Sequence, residues 1–314
     1  MLKRKGRSIE MRKTSRREFL ALLGATGAGL LAGKASGAAG VRAINDTELG
    51  MLYDATRCVG CKACMAACKR VNRSSGDLSY EQAPFDHDKL WDTPGDLSGN
   101  TRTIIKLYKK SGTRWSYVKY SCMHCQEPSC VSVCPVSAMT KDKVTGIVVY
   151  DKDKCIGCRY CMVACAFNIP RFQWDRKAPQ IVKCDMCSST NLRGKGITAC
   201  AEVCPAGAIT FGKRGDLLKE ARGRISAHPG RYVTDIYGEK ELGGTNHLYL
   251  AGLPFSDLGL HNFPGKAPAE FSEHIQHAIY HDFIAPVGLY GIFCLIALMN
   301  RKKADNTGIR KEEE

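Results

Sequence analysis

The chain has 314 residues, with 46 Lys and Arg against 31 Asp and Glu and 17 cysteines. That length excludes the small secreted scaffolds that disulfides hold together. Nine of the basic and two of the acidic residues fall in residues 1–38, so +7 of the formal +15 belongs to that segment and +8 remains beyond it; with no nucleic-acid motif behind it, the basic balance is not a nucleic-acid signature.

Residues 1–39 read as a twin-arginine signal peptide. Arg16 and Arg17 precede Phe19 and Leu20, an apolar run follows from 19 to 33, and small residues run from 35 to 40. The apolar run is too short to span a bilayer, and a basic region, apolar region and small-residue zone in that order are an address for export.

Sixteen of the cysteines form four groups of four, and each group ends in C-x3-C. A strand at 50–53 leads into the first, Cys58, Cys61, Cys64 and Cys68. A long insertion follows, whose centre (76–115) holds Trp91 and a strand at 103–109; a second strand runs from 115 to 120. The second group is Cys122, Cys125, Cys130 and Cys134. A strand at 145–150 leads into the third, Cys155, Cys158, Cys161 and Cys165. The fourth, Cys184, Cys187, Cys200 and Cys204, is followed by a strand at 208–211. Cys134 and Cys204 each precede proline.

This is bacterial-ferredoxin spacing, in which thiolates hold [4Fe–4S] clusters. Zinc sites pair two C-x2-C knuckles, often with histidine; a third cysteine at x2 or x4 and a fourth at x3 suit a cube better than one tetrahedral ion. Four complete quartets imply four clusters and a carrier of single electrons. In two-cluster ferredoxins the last cysteine of a run ligates the neighbouring cluster. Groups two and three, separated by a ferredoxin-like gap, therefore pair: Cys122, Cys125, Cys130 and Cys165 hold one cluster, and Cys134, Cys155, Cys158 and Cys161 its neighbour. Groups one and four then pair around them: Cys58, Cys61, Cys64 and Cys204 hold one cluster, and Cys68, Cys184, Cys187 and Cys200 the other. Spacing alone leaves open a sequential pairing, one with two and three with four. The fold expected is α+β, with two ferredoxin-like modules of two clusters each: an inner one over 116–179 and an outer one built from 40–75 and 180–215. Val131, Val133, Met162, Val163 and Phe167 are expected to shield the clusters from water, and His124 to support a ligand without being one. Arg171, Phe172 and Trp174 are expected to pack between modules.

Residues 216–282 form an extension without cysteine and with weak periodicity, expected to wrap the surface or meet a partner. His274, His277 and His281 share one helical face and read as a polar stripe more than as metal ligands. Residues 283–299 are free of charge, and Arg301, Lys302 and Lys303 follow. A transmembrane helix over 283–300 with its basic end in the cytoplasm is expected, which leaves the body on the periplasmic side of the inner membrane. Cys294 in this run is an apolar filler. No G-x-G-x-x-G, P-loop or nucleophile–base pair is present, so the chain reads as non-catalytic.

The stretches Tyr117-Val118-Lys119-Tyr120-Ser121-Cys122-Met123-His124-Cys125, Cys155-Ile156-Gly157-Cys158-Arg159-Tyr160-Cys161-Met162-Val163-Ala164-Cys165 and Ile181-Val182-Lys183-Cys184-Asp185-Met186-Cys187 resemble the four-cluster electron-transfer subunits of the molybdopterin-oxidoreductase class, which include iron–sulfur subunits of formate dehydrogenase, dimethyl sulfoxide reductase and polysulfide reductase. The resemblance spans residues 50–215 and favours the nested pairing. Ala166 stands where many relatives have proline after the last cysteine of group three, which removes no ligand. One branch, the iron–sulfur proteins of membrane hydrogenases, is similar at both ends of the chain as well. That resemblance implies an electron-transfer subunit working between the small and large subunits of a NiFe hydrogenase and an integral, quinone-reactive membrane subunit. The runner-up is the same wiring on a formate dehydrogenase or another molybdenum enzyme, and a zinc-stabilised scaffold is the third reading.

Overall fold

The computed structural model describes residues 44–72, 92, 94–110, 114–269 and 286–299. The expected signal segment, Trp91, most of the insertion before residue 94, and His274, His277 and His281 lie outside the described residues. The chain begins with β1 (Leu49–Asp54) and α1 (Ala63–Val71), then the hairpin β2 (Thr103–Lys110) and β3 (Arg114–Ser121). Next come α2 (Ser129–Ser132), β4 (Met139–Lys141), β5 (Val148–Tyr150) and α3 (Tyr160–Val163). The strands β6 (Arg171–Phe172) and β7 (Ile181–Val182) follow, then α4 (Asn191–Lys195), α5 (Ala199–Glu202), β8 (Ile209–Lys213), α6 (Arg214–Ala227) and β9 (His247–Leu250).

The same arrangement occurs twice. The strand after the Cys-Pro of group two, β4, pairs antiparallel with the strand before group three, β5, and α2 packs on α3. The strand after the Cys-Pro of group four, β8, pairs antiparallel with the strand before group one, β1, and α1 packs on α5. Groups two and three thus share one local framework, and groups four and one share another. Chemistry explains the economy of both: the strands are short, so most residues that would build an apolar core are replaced by cysteine loops.

The extension departs from the expectation of a surface wrap. It supplies β9, a parallel neighbour of β1 with all four residues buried, and α6, whose Leu217, Leu218 and Ala221 close on Leu52, Leu248 and Leu250. A strand buried on both faces shows no alternation to reveal it, and each fully buried leucine contributes about 1.5–3 kcal/mol. Through α6 and β9 the extension therefore contributes to the core.

A buried polar knot ties the two frameworks together. Glu48, just before β1, pairs with Lys141 of β4 at 2.8 Å. It also accepts hydrogen bonds from Asn246 at 2.8 Å and Gln126 at 3.0 Å. Gly146 lies against it so closely that a Cβ there would fall 2.2 Å from the carboxylate oxygen.

The apolar segment near the C-terminus forms a helix over 286–299 with almost every side chain exposed, Cys294 included. Among the described residues no helix is long and apolar enough to cross a membrane; residues 283–285 and 300–303 of the expected span lie outside them.

Candidate functional site

The cysteine loops are set by backbone conformation. In group one Gly60 (φ 71°) and Lys62 (φ 59°) are left-handed; in group three Gly157 (φ 72°) and Arg159 (φ 63°) occupy the matching positions. Groups two and four match each other in the same way, through His124 (φ 47°) and Met186 (φ 50°), two residues after the first cysteine, and through Ser137 (φ 51°) and Gly207 (φ 58°), three after the last. These left-handed residues turn backbone N–H groups towards sulfur: Ala138 donates to the Cys134 sulfur at 3.2 Å and Ala208 to that of Cys204 at 3.3 Å. Gly157 and Met186 do the same at 3.4 Å to Cys155 and Cys184. Such bonds stabilise thiolate and tune any metal it holds.

The folded chain gathers cysteines from distant groups. One pocket is lined by Cys58, Cys61, Cys64 and Cys204. A second is lined by Cys68, Cys184, Cys187 and Cys200. A third is lined by Cys134, Cys155, Cys158 and Cys161. Cys122, Cys130 and Cys165 act together on the thiol of Cys125, so these four share one electrostatic neighbourhood.

The thiols are hard to ionise alone. Burial first, then repulsion from Cys200, pushes Cys68 up to about 12. Burial, opposed by Lys119 and aided by Cys200 and Cys58, pushes Cys64 up to about 11. Cys130 rises to about 12 through burial and Cys122, and Cys161 to about 11 through burial and Cys155. Four thiolates brought together at one pocket need a cationic occupant. Around one zinc ion four sulfurs at 2.3 Å would lie within roughly 4 Å of one another; among the described residues no three metal-ligating side chains converge on one ion. Three of the quartets line one pocket each without closing on a single ion, as thiolates around a cubane do. The residues fit a [4Fe–4S] group.

Further observations bear on that fit. His124 accepts the Val148 N–H at Nδ1 (3.0 Å), so the proton sits on Nε2, a buried atom without a partner. Ser132, between Cys130 and Cys134, also carries a buried hydroxyl without a partner. Tyr53 lies beside Cys58, and burial and that thiol raise its phenol well above the usual range. Burial pushes the Tyr150 phenol up as well, with Cys155 adding to the effect.

Several expectations need correction. Val163 is 88% exposed and shields nothing within the chain, whereas Val131, Val133, Met162 and Phe167 are partly buried. Trp174 is 68% exposed; it stacks edge-on to Phe172 with the Arg159 guanidinium 4.8 Å from its ring, while Arg171 pairs with Asp96 at 3.0 Å. Sequence reasoning passed over Lys119, Lys183 and His247, all buried. The signal for Lys119 was present: a charged residue at an inward position of a strand.

Among known proteins, a family model described as a 4Fe-4S dicluster domain matches residues 113–214. The chain is 37% identical to the hydrogenase-2 operon protein HybA of Escherichia coli O157:H7, over 94% of this chain and 98% of that protein. It is 31% identical to the nitrate-inducible formate dehydrogenase iron–sulfur subunit of Escherichia coli K12, covering 65% of this chain and 68% of that one. The formate dehydrogenase iron–sulfur subunit of Haemophilus influenzae is 32% identical, over 65% of this chain and 64% of that one.

Proposed function

The chain belongs to the family of ferredoxin-type iron–sulfur proteins that includes HybA, and from that premise we propose that it is the electron-transfer subunit of a periplasm-facing membrane NiFe hydrogenase. It holds four [4Fe–4S] clusters, two in each of two ferredoxin-like modules, and passes electrons between the hydrogenase small and large subunits and a quinone-reactive membrane subunit. Bound clusters supply one-electron redox chemistry. The chain's own residues hold them by sixteen thiolates, aim backbone N–H groups at the sulfurs and keep water out. The chain makes and breaks no substrate bond.

One observation carries the reading: cysteines far apart in sequence line three common pockets, four to each. It supports Cys58, Cys61, Cys64 and Cys204 as one ligand set and Cys68, Cys184, Cys187 and Cys200 as the second. Cys122, Cys125, Cys130 and Cys165 form the third, and Cys134, Cys155, Cys158 and Cys161 the fourth. Export by Arg16 and Arg17 and anchoring by a span over 283–300 complete the proposal. The likeness to HybA over nearly the whole of both chains favours a hydrogenase. The likeness to formate dehydrogenase subunits supports the second reading, the same role in a molybdenum enzyme. Iron analysis of anaerobically purified protein tests the core of the proposal, with about sixteen atoms per chain expected from four iron per cluster; about four, or zinc instead, overturns it. Co-purification with the catalytic subunit separates the two readings.

A further inference from the structure

Lys119 is the feature that the four quartets do not account for. It lies on β3 between Tyr117 and Ser121, and its side chain is 1% exposed. Its ammonium donates to the hydroxyl of Thr103. No carboxylate pairs with it among the described residues. An isolated buried ammonium costs several kcal/mol, so a strand that keeps one here must give it an anionic neighbour. Four thiols supply that neighbour: Cys200, Cys64, Cys184 and Cys68 all act on the ammonium, and together they outweigh its desolvation. Cys64 belongs to the quartet with Cys58, Cys61 and Cys204. The other three belong to the quartet with Cys187, whose cavity Lys119 itself lines. The ammonium therefore lines the pocket of one outer quartet and acts electrostatically on Cys64 of the other. One inner quartet has a different neighbour: buried Lys183, which donates to the carbonyls of Val148 and Cys184, acts on Cys130.

We propose that Lys119 is a positioning residue for electron transfer, a fixed positive charge shared by the two outer quartets that raises the reduction potentials of both groups held there. This inference rests on the iron–sulfur reading. A cluster gains one negative charge on reduction, and a fixed cation beside it in a low-dielectric interior favours the reduced form. One charge between two sites acts on both and raises the two potentials together.

The test is a redox titration of the anaerobic full-length protein followed by EPR. Relative to wild type, Lys119→Met shifts the reduction equilibria of two clusters at least tenfold towards the oxidised form, which for one electron is about 59 mV, and leaves the other two in place. Lys119→Arg, which keeps the charge, leaves all four in place. Lys183→Met must not reproduce the Lys119→Met pattern. An equal shift of all four clusters, no shift in Lys119→Met, or the same pattern in Lys183→Met overturns the proposal. Should Lys119→Met fail to hold iron, Lys119→Arg decides: full iron with wild-type potentials supports a requirement for charge, and loss of iron there too overturns it. Wild-type protein without iron would instead overturn the cluster reading itself; wild-type protein with iron and an unresponsive Lys119→Met would overturn this inference alone.

Discussion

Gly60 and Gly157 form a matched pair that separates backbone strain from packing. Both sit two residues after the first cysteine of their loops, at φ 71° and 72°. Replacing either with alanine places an L-residue in the left-handed region, which costs about 1–2 kcal/mol. Their surroundings differ. A Cβ at Gly60 falls 2.2 Å from the ring of Tyr117, whereas at Gly157 the nearest atoms are 3.8 Å away on Phe172. Contact at 2.2 Å forces Tyr117 or the loop to move, an overpacking cost of about 1–3 kcal/mol. Gly157→Ala should therefore lose about 1–2 kcal/mol and Gly60→Ala about 2–5 kcal/mol, read as the shift in denaturant midpoint for anaerobic holoprotein. Tyr117→Ala should cost less in the Gly60→Ala background than in the wild type, because it opens the space that the new methyl needs. Equal losses at the two glycines, or no coupling to Tyr117, would refute the argument that the ring sets the difference.

Removing the charge of Glu48 in Glu48→Gln should cost about 3–5 kcal/mol, because it leaves Lys141 buried without its carboxylate, and adding Lys141→Met should recover part of that in the same denaturation assay. His247 is buried and held neutral, its imidazole pushed well below the usual histidine range by desolvation and then by Lys119. The unfolded chain takes up this proton below about pH 6.5, so the stability contributed is present above that pH and lost as pH falls, at up to about 1.4 kcal/mol per unit; His247→Gln should flatten the stability curve between pH 6.5 and 5, and an unchanged slope would count against the burial argument. Arg16→Lys with Arg17→Lys should retain the protein in the cytoplasm on cell fractionation, because the pair is read as an address more than as charge. Truncation before Asp282 should keep iron at the wild-type level while releasing the protein from membranes, since every quartet lies upstream; a fall in iron would show that the C-terminal segment contributes to assembly.

The sequence reveals most where chemistry leaves little choice. Cysteine spacing marks all four quartets, and the strands beside groups one, three and four are visible because short apolar runs abut the cysteine loops. The gathering of group one with group four was one of two readings that spacing allowed; the folded chain joins them through β1 and β8, whose pairing aligns Tyr53 with Ile209. The rest was hidden for identifiable reasons. β9 is buried throughout and reads as a featureless apolar patch within a glycine-rich stretch. Val163 sits among cysteines, yet a four-residue helix turns it outward. Glu48 looks like an ordinary surface charge until the fold encloses it, since periodicity cannot show partners such as Gln126 and Asn246 that arrive from 78 and 198 residues away.

The framework built by groups one and four encloses the other in sequence, and this orders the events of folding. The contacts between β4 and β5 close over a few residues, and the ordering entropy they must overcome is small. The contacts between β1 and β8 join segments far apart, aligning Leu49 with Lys213 and Tyr53 with Ile209, and beside them the Met51 sulfur meets the Cys200 thiol of α5 across 149 residues. Such closure is slower, and it cannot begin before group four has been made. The polar knot adds a second condition, because Glu48 needs Lys141, Gln126 and Asn246 in place before its burial is compensated. An inner framework formed first offers Lys141 and Gln126 as a template on which β1 can settle, and β9, arriving last with Asn246, seals it. The N-terminal strand thus waits on the C-terminal half of the chain. Under the proposed twin-arginine route that is a workable order, since the chain would be complete and its clusters inserted before it leaves the cytoplasm; threading across the membrane unfolded would carry group one away from its partners before they existed.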